Sequence, residues 1–258
     1  MSESTPHRRP LQAEVDLIDA SEPMEVSLDV EAVDPAASLE PVRRVTDIVA
    51  TAINAGMFAA HRTTPEASGC EALVTALEAG TARQVWRMTG VAPGTYKILL
   101  SMLAVVHQYQ IPLARIRLRS APGRGSRLAL PDITAAPYPK RTDRVEFEVK
   151  LPRIRDELTD PRLRIVFAED IGDSALDLFE RTFTAWDHLI THGGYFHAAD
   201  ELELDDENVL GETYMLSEDT VEHTLETDVG SPEAFDAVIN MAVRFHRTLH
   251  RVIRFELE

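Results

Sequence analysis

The chain of 258 residues has one cysteine, Cys70, and only three lysines. A single cysteine cannot form an internal disulfide, and it excludes metal sites built from several thiolates. No apolar run approaches the roughly 18 residues that a membrane-spanning helix needs, and the first residues lack the apolar core of a secretory signal. We therefore expect a cytoplasmic protein, and the scarcity of lysine beside abundant alanine suggests a bacterial, GC-rich genome.

Positive charge is missing from a long stretch of the second half. No lysine or arginine occurs between Arg181 and Arg244, whereas fifteen aspartates and glutamates do, and the net charge of the whole chain is −17. Such an excess of negative charge opposes binding to nucleic acids and to anionic membranes. The composition therefore predicts neither of these partners, and it favours a partner with a basic surface.

Motifs for catalysis and for cofactor binding are also missing. The glycine-rich stretch APGRGSR is not followed by a helical pattern, so it does not match a phosphate-binding loop. The stretch ASGC at Ala67–Cys70 does not resemble a nucleophile elbow. These absences favour a protein that is not an enzyme and that holds no cofactor, while leaving enzymatic activity open.

An internal duplication is the clearest positive feature. At one constant shift of the chain against itself, Met102 aligns with Met241 and His107 aligns with His246. The alternating run that begins at Arg115 aligns in the same way with the run that begins at Arg254. Matches in the same order over about 95 residues favour two copies of one structural unit.

Each copy has the pattern strand, helix, strand, strand, helix, strand. This order is typical of a ferredoxin-like unit, in which both helices cover one face of the sheet. The sequence therefore predicts an α+β protein made of tandem duplicated ferredoxin-like (βαββαβ) sandwiches that form an intramolecular pseudo-dimer. The predicted boundaries are a disordered tail at 1–22, a first unit at 23–119, a Pro/Gly/Arg-rich linker at 120–161 and a second unit at 162–258.

One stretch inside the predicted linker has a regular pattern. RVEFEVKLP, at Arg144–Pro152, alternates between polar and apolar residues, which predicts an extra strand at a sheet edge.

Tandem ferredoxin-like units resemble the architecture of CRISPR repeat-processing endoribonucleases, which carry a glycine-rich loop in the second unit. Here no glycine follows Gly230. The predicted open face of the second unit is also acidic, so it would repel phosphates. We therefore expect no RNA-processing activity, and the resemblance concerns the fold alone.

Opposite charges characterise the predicted open faces of the two sheets. Such a contrast could select a pairing of the halves through these faces. Alternatively, both faces are simply exposed to water, where an ion pair is worth about 0–1 kcal/mol. The first copy carries Arg83, Arg87, Arg115, Arg117 and Arg119, whereas the second copy carries Glu222, Glu226, Glu256 and Glu258.

The favoured function is that of a protein-binding module whose acidic half meets a basic partner. Bacterial immunity or antitoxin proteins and adaptor proteins fit this charge distribution, and a homo-oligomer is also compatible with it. The predicted contact residues are Glu201, Glu203, Asp205, Asp206, Glu222 and Glu226.

Two histidine pairs support an alternative function, the binding of a metal ion or a small ligand. His188 with His192, and His246 with His250, are each one helical turn apart, so each pair could share a metal ion. We expect the two helices of the second unit to run roughly parallel, which would place all four imidazoles at the same end of the helix layer, where they could converge. Histidine near a helix C-terminus is also favoured by the helix dipole alone.

Overall fold

The structure is a computed structural model that describes residues 11–19, 23–60, 64–121, 126–151, 161–195, 210–225 and 231–258. These residues form a mixed α+β fold with five α-helices and two mixed sheets. Within the described ranges, no helix combines the length and the apolar composition needed to cross a membrane.

The first sheet has six strands in the order β3-β4-β2-β5-β1-β6. All neighbours are antiparallel except β1 and β5, which are parallel. Alternation along β2 buries Val26, Leu28 and Val30 against the helices and leaves the residues between them on the outer face. The strands are β1 (Ala13–Asp19), β2 (Met24–Ala32), β3 (Gly69–Glu78), β4 (Thr81–Thr89), β5 (Leu113–Ser120) and β6 (Ser126–Leu128).

The second sheet has five strands in the order β7-β11-β8-β10-β9. Its neighbours are antiparallel except β7 and β11. Its inner face buries Leu163, Ile165 and Phe167. The strands are β7 (Glu148–Lys150), β8 (Arg162–Phe167), β9 (Thr213–Ser217), β10 (Thr220–Thr224) and β11 (Val252–Leu257).

The two halves of the chain meet through their helices. Helix α1 packs against α4, and α5 packs against the short 3-10 helix Pro65–Ala67 of the first half. Buried side chains from both halves form one continuous hydrophobic core. The helices are α1 (Glu40–Asn54), α2 (Gly94–Val105), α3 (Leu130–Ala135), α4 (Asp173–Thr191) and α5 (Glu233–Thr248).

Polar contacts reinforce this junction between the halves. The side chain of Asn240 donates to the carbonyl oxygens of Met57 and Lys140, at 3.2 and 3.1 Å, and accepts from the N–H of Thr142. Arg244 donates to the carbonyl oxygen of Pro65 at 2.8 Å. Helix α5 is therefore bonded both to the first half and to the segment that joins the halves.

The hypothesis that the halves pair through oppositely charged sheet faces is wrong, because the halves meet through their helices and the described charges on these faces pair within their own sheets. On the first sheet, Arg117 of β5 lies between Glu14 of β1 and Glu31 of β2, with N–O distances of 3.5 and 3.2 Å. Arg83 of β4 lies 3.8 Å from Asp29 of β2. Acidic and basic strands alternate across this outer face, so neighbouring strands supply the counter-charges.

Part of the predicted disordered tail is a strand. Ala13–Asp19 forms β1, which lies between β5 and β6 and buries Leu17 completely. Polar residues flank this short alternation of apolar residues on both sides, so the strand is hard to recognise from the sequence. This strand is buried because it pairs with β5, and this contact exists only in the folded sheet.

The predicted linker, 120–161, also contains regular structure. It includes β6, α3 and β7, and it buries Ile133 and Tyr138. The Tyr138 ring lies 5.2 Å from the ring of Tyr195 of the second half. Strand β7 lies at the edge of the second sheet, inside the stretch Arg144–Pro152 whose alternation predicts such a strand. This segment is packed against both halves.

Candidate functional site

Most of the predicted acidic contact residues lie outside the described residues. These are Glu201, Glu203, Asp205, Asp206 and Glu226. The structure describes only Glu222 of this set. It therefore tests the acidic surface at one position.

Glu222 is buried and is not available to a partner. Its carboxylate accepts hydrogen bonds from Arg162, Arg164 and Tyr214, and its side chain is fully covered. Burial opposes ionisation, but the hydrogen bonds from Tyr214 and Arg164 outweigh it and hold the pKa of Glu222 below its usual range. The prediction that Glu222 contacts a partner is therefore wrong, because neighbouring strands already neutralise its charge.

The structure does not bring the four predicted histidines together. Strands β8 and β10 are antiparallel, so the helices that follow them, α4 and α5, run in opposite directions. His188 and His192 consequently lie at one end of the helix layer, and His246 and His250 lie at the other. The expectation of parallel helices is wrong, and no group of three or more metal-ligating side chains occurs among the described residues.

His246 and His250 have structural partners. Nδ1 of His246 lies 2.9 Å from the carbonyl oxygen of Val252, and its Nε2 lies 3.3 Å from Glu146. The ring of His250 packs edge-on against Phe167. In the first half, His107 accepts the N–H of Leu113, so His107 and His246 each hold the start of the following strand.

A buried polar cluster in the second half is missed by the sequence analysis. Nε2 of His223 lies 3.0 Å from Asp187, and its Nδ1 lies 2.9 Å from the hydroxyl of Thr213. The His223 ring stacks on Phe183 and is fully buried. Asp187 also accepts the N–H of Gly211. His223 alternates with apolar residues along its strand, which places its side chain on the inner face of the sheet. A histidine in that position needs a buried polar partner, and this could have been predicted from the sequence.

This cluster resembles a Thr-His-Asp hydrogen-bond chain, but its geometry is that of a structural core. Gly211 closes over the imidazole, because a Cβ atom there would lie 1.8 Å from the carbonyl oxygen of Thr224 and 2.8 Å from the His223 ring. The described residues leave the ring with no exposed surface, so a substrate cannot reach His223. The cluster satisfies buried polar groups and fixes β9 and β10 on α4.

A cleft of about 590 Å³ lies where the first half meets the end of α4, and we call it the Arg44 cleft. It is adjacent to a π-helical turn at Val106–Gln110 that follows α2, and such turns occur frequently at functional sites. Its lining includes Ser38, Pro41, Arg44, Val106, Ile111 and His192.

A second cleft, of about 440 Å³, lies between α1, α4 and α5. It is lined by Thr51, Arg181, Arg244 and Leu249, among others. Arg244 is already bonded to the carbonyl oxygens of Pro65 and Ser68.

Strand β3 forms an exposed edge of the first sheet, which we call the β3 edge. No described strand pairs with its outer side. Asn54 bonds to both backbone groups of Cys70 and so covers the start of the strand. Beyond it, Leu73, Val74 and Leu77 are 36%, 45% and 45% exposed.

Comparisons with known proteins do not assign this chain to a family. No protein-family model matches it, and no curated protein matches it. Among solved structures, it has some similarity to a mutant form of the ferredoxin protease FusC in complex with Arabidopsis ferredoxin, with 8% identity over 82% of this chain and a TM-score of 0.18. This chain spans 33% of the length of that structure's chain. A similarity this low carries no argument about fold or function.

Proposed function

We propose that this protein is a protein-binding module that takes up an extended, basic segment of a partner protein as an added strand on the β3 edge. The observation that carries the proposal is the long apolar edge strand. Natural sheets usually protect such edges with lysine, proline or a covering element. The β3 edge carries no lysine or proline and exposes three large apolar side chains instead.

The charges on β3 indicate which kind of partner segment fits this edge. The only charged side chains on β3 are those of Glu71 and Glu78, at either end of the apolar run, and Glu71 also pairs with Arg87 of β4 at 3.3 Å. A segment with apolar residues in the middle and basic residues at its ends matches this pattern. The net charge of −17 attracts the same kind of partner over a longer distance.

A second copy of this chain is a poorer occupant of the edge. An antiparallel pairing of two copies along the whole strand brings Glu71 of each copy towards Glu78 of the other. Like charges directly opposite each other destabilise a strand pair. This repulsion favours a different protein as the partner. Binding a basic partner is what we would expect of this chain if it is an acidic adaptor or an immunity-type protein.

We also propose that the chain is a duplicated ferredoxin-like pseudo-dimer, and the positions of its elements support this. Strand β10 begins a fixed number of residues after β4 begins. The same number of residues separates the start of α2 from the start of α5, and the start of β5 from the start of β11. The corresponding strands of the two copies also lie in the same order within their sheets, β3-β4-β2-β5 in the first sheet and β9-β10-β8-β11 in the second. Gene duplication explains why a chain with one binding edge carries a second, similar sheet.

The proposal is tested with two peptides, KTVTVTK and its acidic counterpart ETVTVTE, both acetylated and amidated. Backbone NMR and amide hydrogen exchange are followed during titration of the intact protein. We expect the basic peptide to slow exchange along β3 and to bind at least tenfold more tightly than the acidic one. Equal binding of the two peptides, or no change at β3, would overturn the proposal.

Matched variants separate edge binding from general charge attraction. Val74→Lys places a positive charge on the β3 edge and should abolish binding of KTVTVTK. Leu216→Lys is the control, because Leu216 is 53% exposed on β9, the edge strand of the other sheet. Loss of binding in Leu216→Lys alone would instead assign the second sheet as the binding edge.

A further inference from the structure

We infer that the Arg44 cleft is a binding site for a small organic carboxylate with an apolar body. No residue of β3 lines this cleft, so this inference does not depend on the proposed function. The cleft has a volume of about 590 Å³. This value is within the usual range for small-molecule sites, which is roughly 300–1000 Å³.

Arg44 supplies the positive charge. Its guanidinium has no ion pair with any described residue, whereas its neighbour Arg43 is paired with Glu40 and Asp47. A guanidinium can bind a carboxylate through two parallel hydrogen bonds.

His192 supplies a polar group that lacks a partner. The side chain is only 7% exposed and lines the cleft. Its Nδ1 lies 3.0 Å from the hydroxyl of Thr191, and no described residue bonds to its Nε2. When Nδ1 accepts the hydroxyl proton of Thr191, Nε2 carries the ring hydrogen and can donate it to a ligand oxygen.

The surroundings keep His192 neutral. Burial, the adjacent His188 and the nearby Arg44 lower the pKa of His192 to about 4. The ring of His188 lies 5.1 Å away, and its buried Nδ1 also has no hydrogen-bond partner among the described residues. At neutral pH the cleft therefore presents one positively charged group, the Arg44 guanidinium, and one neutral hydrogen-bond donor, the His192 ring.

This arrangement favours a single carboxylate over a phosphate dianion. Arg44 is the one cationic side chain among the described residues that line the cleft, and Glu40 is on the same rim. Pro41, Val106 and Ile111 form the apolar part of the lining, which also includes the polar side chains of Ser38 and Gln110. A ligand with one carboxylate on an apolar body matches both parts of the lining.

The test uses benzoate and its neutral analogue benzamide, with inorganic phosphate as a third probe. NMR of protein with labelled histidine side chains follows the His192 resonances during each titration. We expect a saturable shift with benzoate, at least tenfold weaker binding of benzamide, and no saturable shift with phosphate. Equal binding of benzoate and benzamide, or tighter binding of phosphate, would overturn the inference.

Two variants complete the test. Arg44→Gln removes the charge from an exposed side chain, so the fold should be retained, and a circular-dichroism melt checks this. It should weaken benzoate binding at least tenfold without changing benzamide binding. Arg181→Gln, in the second cleft, should leave both affinities unchanged. Benzoate affinity that is insensitive to Arg44→Gln would contradict the proposed role of the guanidinium.

Discussion

At the scale of single residues, several charged or polar side chains that stand out within the described part of the chain are satisfied by their neighbours. Glu222 is the clearest case, because it combines complete burial with two arginine partners and a tyrosine partner. His223 is another, because Asp187 and Thr213 satisfy both of its ring nitrogens. Neither residue is free to act on another molecule.

We predict that Glu222→Gln destabilises the protein by about 1–3 kcal/mol at pH 7, because it weakens hydrogen bonds between charged groups. The pKa of Glu222 is lowered on folding, so its contribution is present above the unfolded-state pKa and is lost as the pH falls through the folded-state pKa. The cost of the substitution should therefore shrink near pH 3. Urea unfolding of Glu222→Gln and of the unsubstituted protein at pH 7 and near pH 3 measures this cost.

Glu218→Gln is the matched control for this prediction, because Glu218 is exposed in the turn between β9 and β10. Its substitution should change the free energy of unfolding by about 0.5 kcal/mol or less, as is usual for surface positions. An equal cost of Glu222→Gln at the two pH values would show that the charge of Glu222 is not what stabilises the sheet.

At the scale of elements, local patterns predicted most strands and helices. The predicted order strand, helix, strand, strand, helix, strand corresponds to β2-α1-β3-β4-α2-β5 and to β8-α4-β9-β10-α5-β11. Strand β1 was missed because it is marked by burial against β5 and α3, which is a long-range contact. The direction of α5 relative to α4 was also missed, because it follows from strand pairing.

We predict that Leu17→Ala costs about 2–5 kcal/mol, which is typical for a fully buried leucine. Asp16→Ala, on the outer face of the same strand, should cost about 1 kcal/mol or less, because its ion pair with Arg127 is exposed. Chemical denaturation of the two variants distinguishes a structural strand from a tail. A negligible cost for Leu17→Ala would restore the interpretation of this segment as a tail.

At the scale of the whole molecule, the two halves share one hydrophobic core. Asn240 bonds to the first half and to the joining segment. Arg247 of the same helix pairs with Glu66 and Glu146, which belong to the first half and the joining segment. Neither half can expose its helix layer to water without losing this core.

We predict that both halves unfold together. Trp86 is buried in the first half and Trp186 in the second, so Trp86→Phe and Trp186→Phe each leave one fluorescent reporter. In each variant, the fluorescence and far-ultraviolet circular-dichroism transitions in urea should coincide. Fluorescence midpoints that differ from the circular-dichroism midpoint of the same variant would indicate that the halves unfold independently.

The sequence by itself determined the class of fold, the constant offset between similar elements and the negative charge, because these depend on composition and local periodicity. Only the tertiary structure decided which charges are paired, that the histidine pairs lie at opposite ends of the helix layer, and that the β3 edge and the Arg44 cleft are open. These features arise from contacts between residues far apart in the chain. Glu222 and Arg44 illustrate the difference, because strand neighbours neutralise the first and no described side chain pairs with the second.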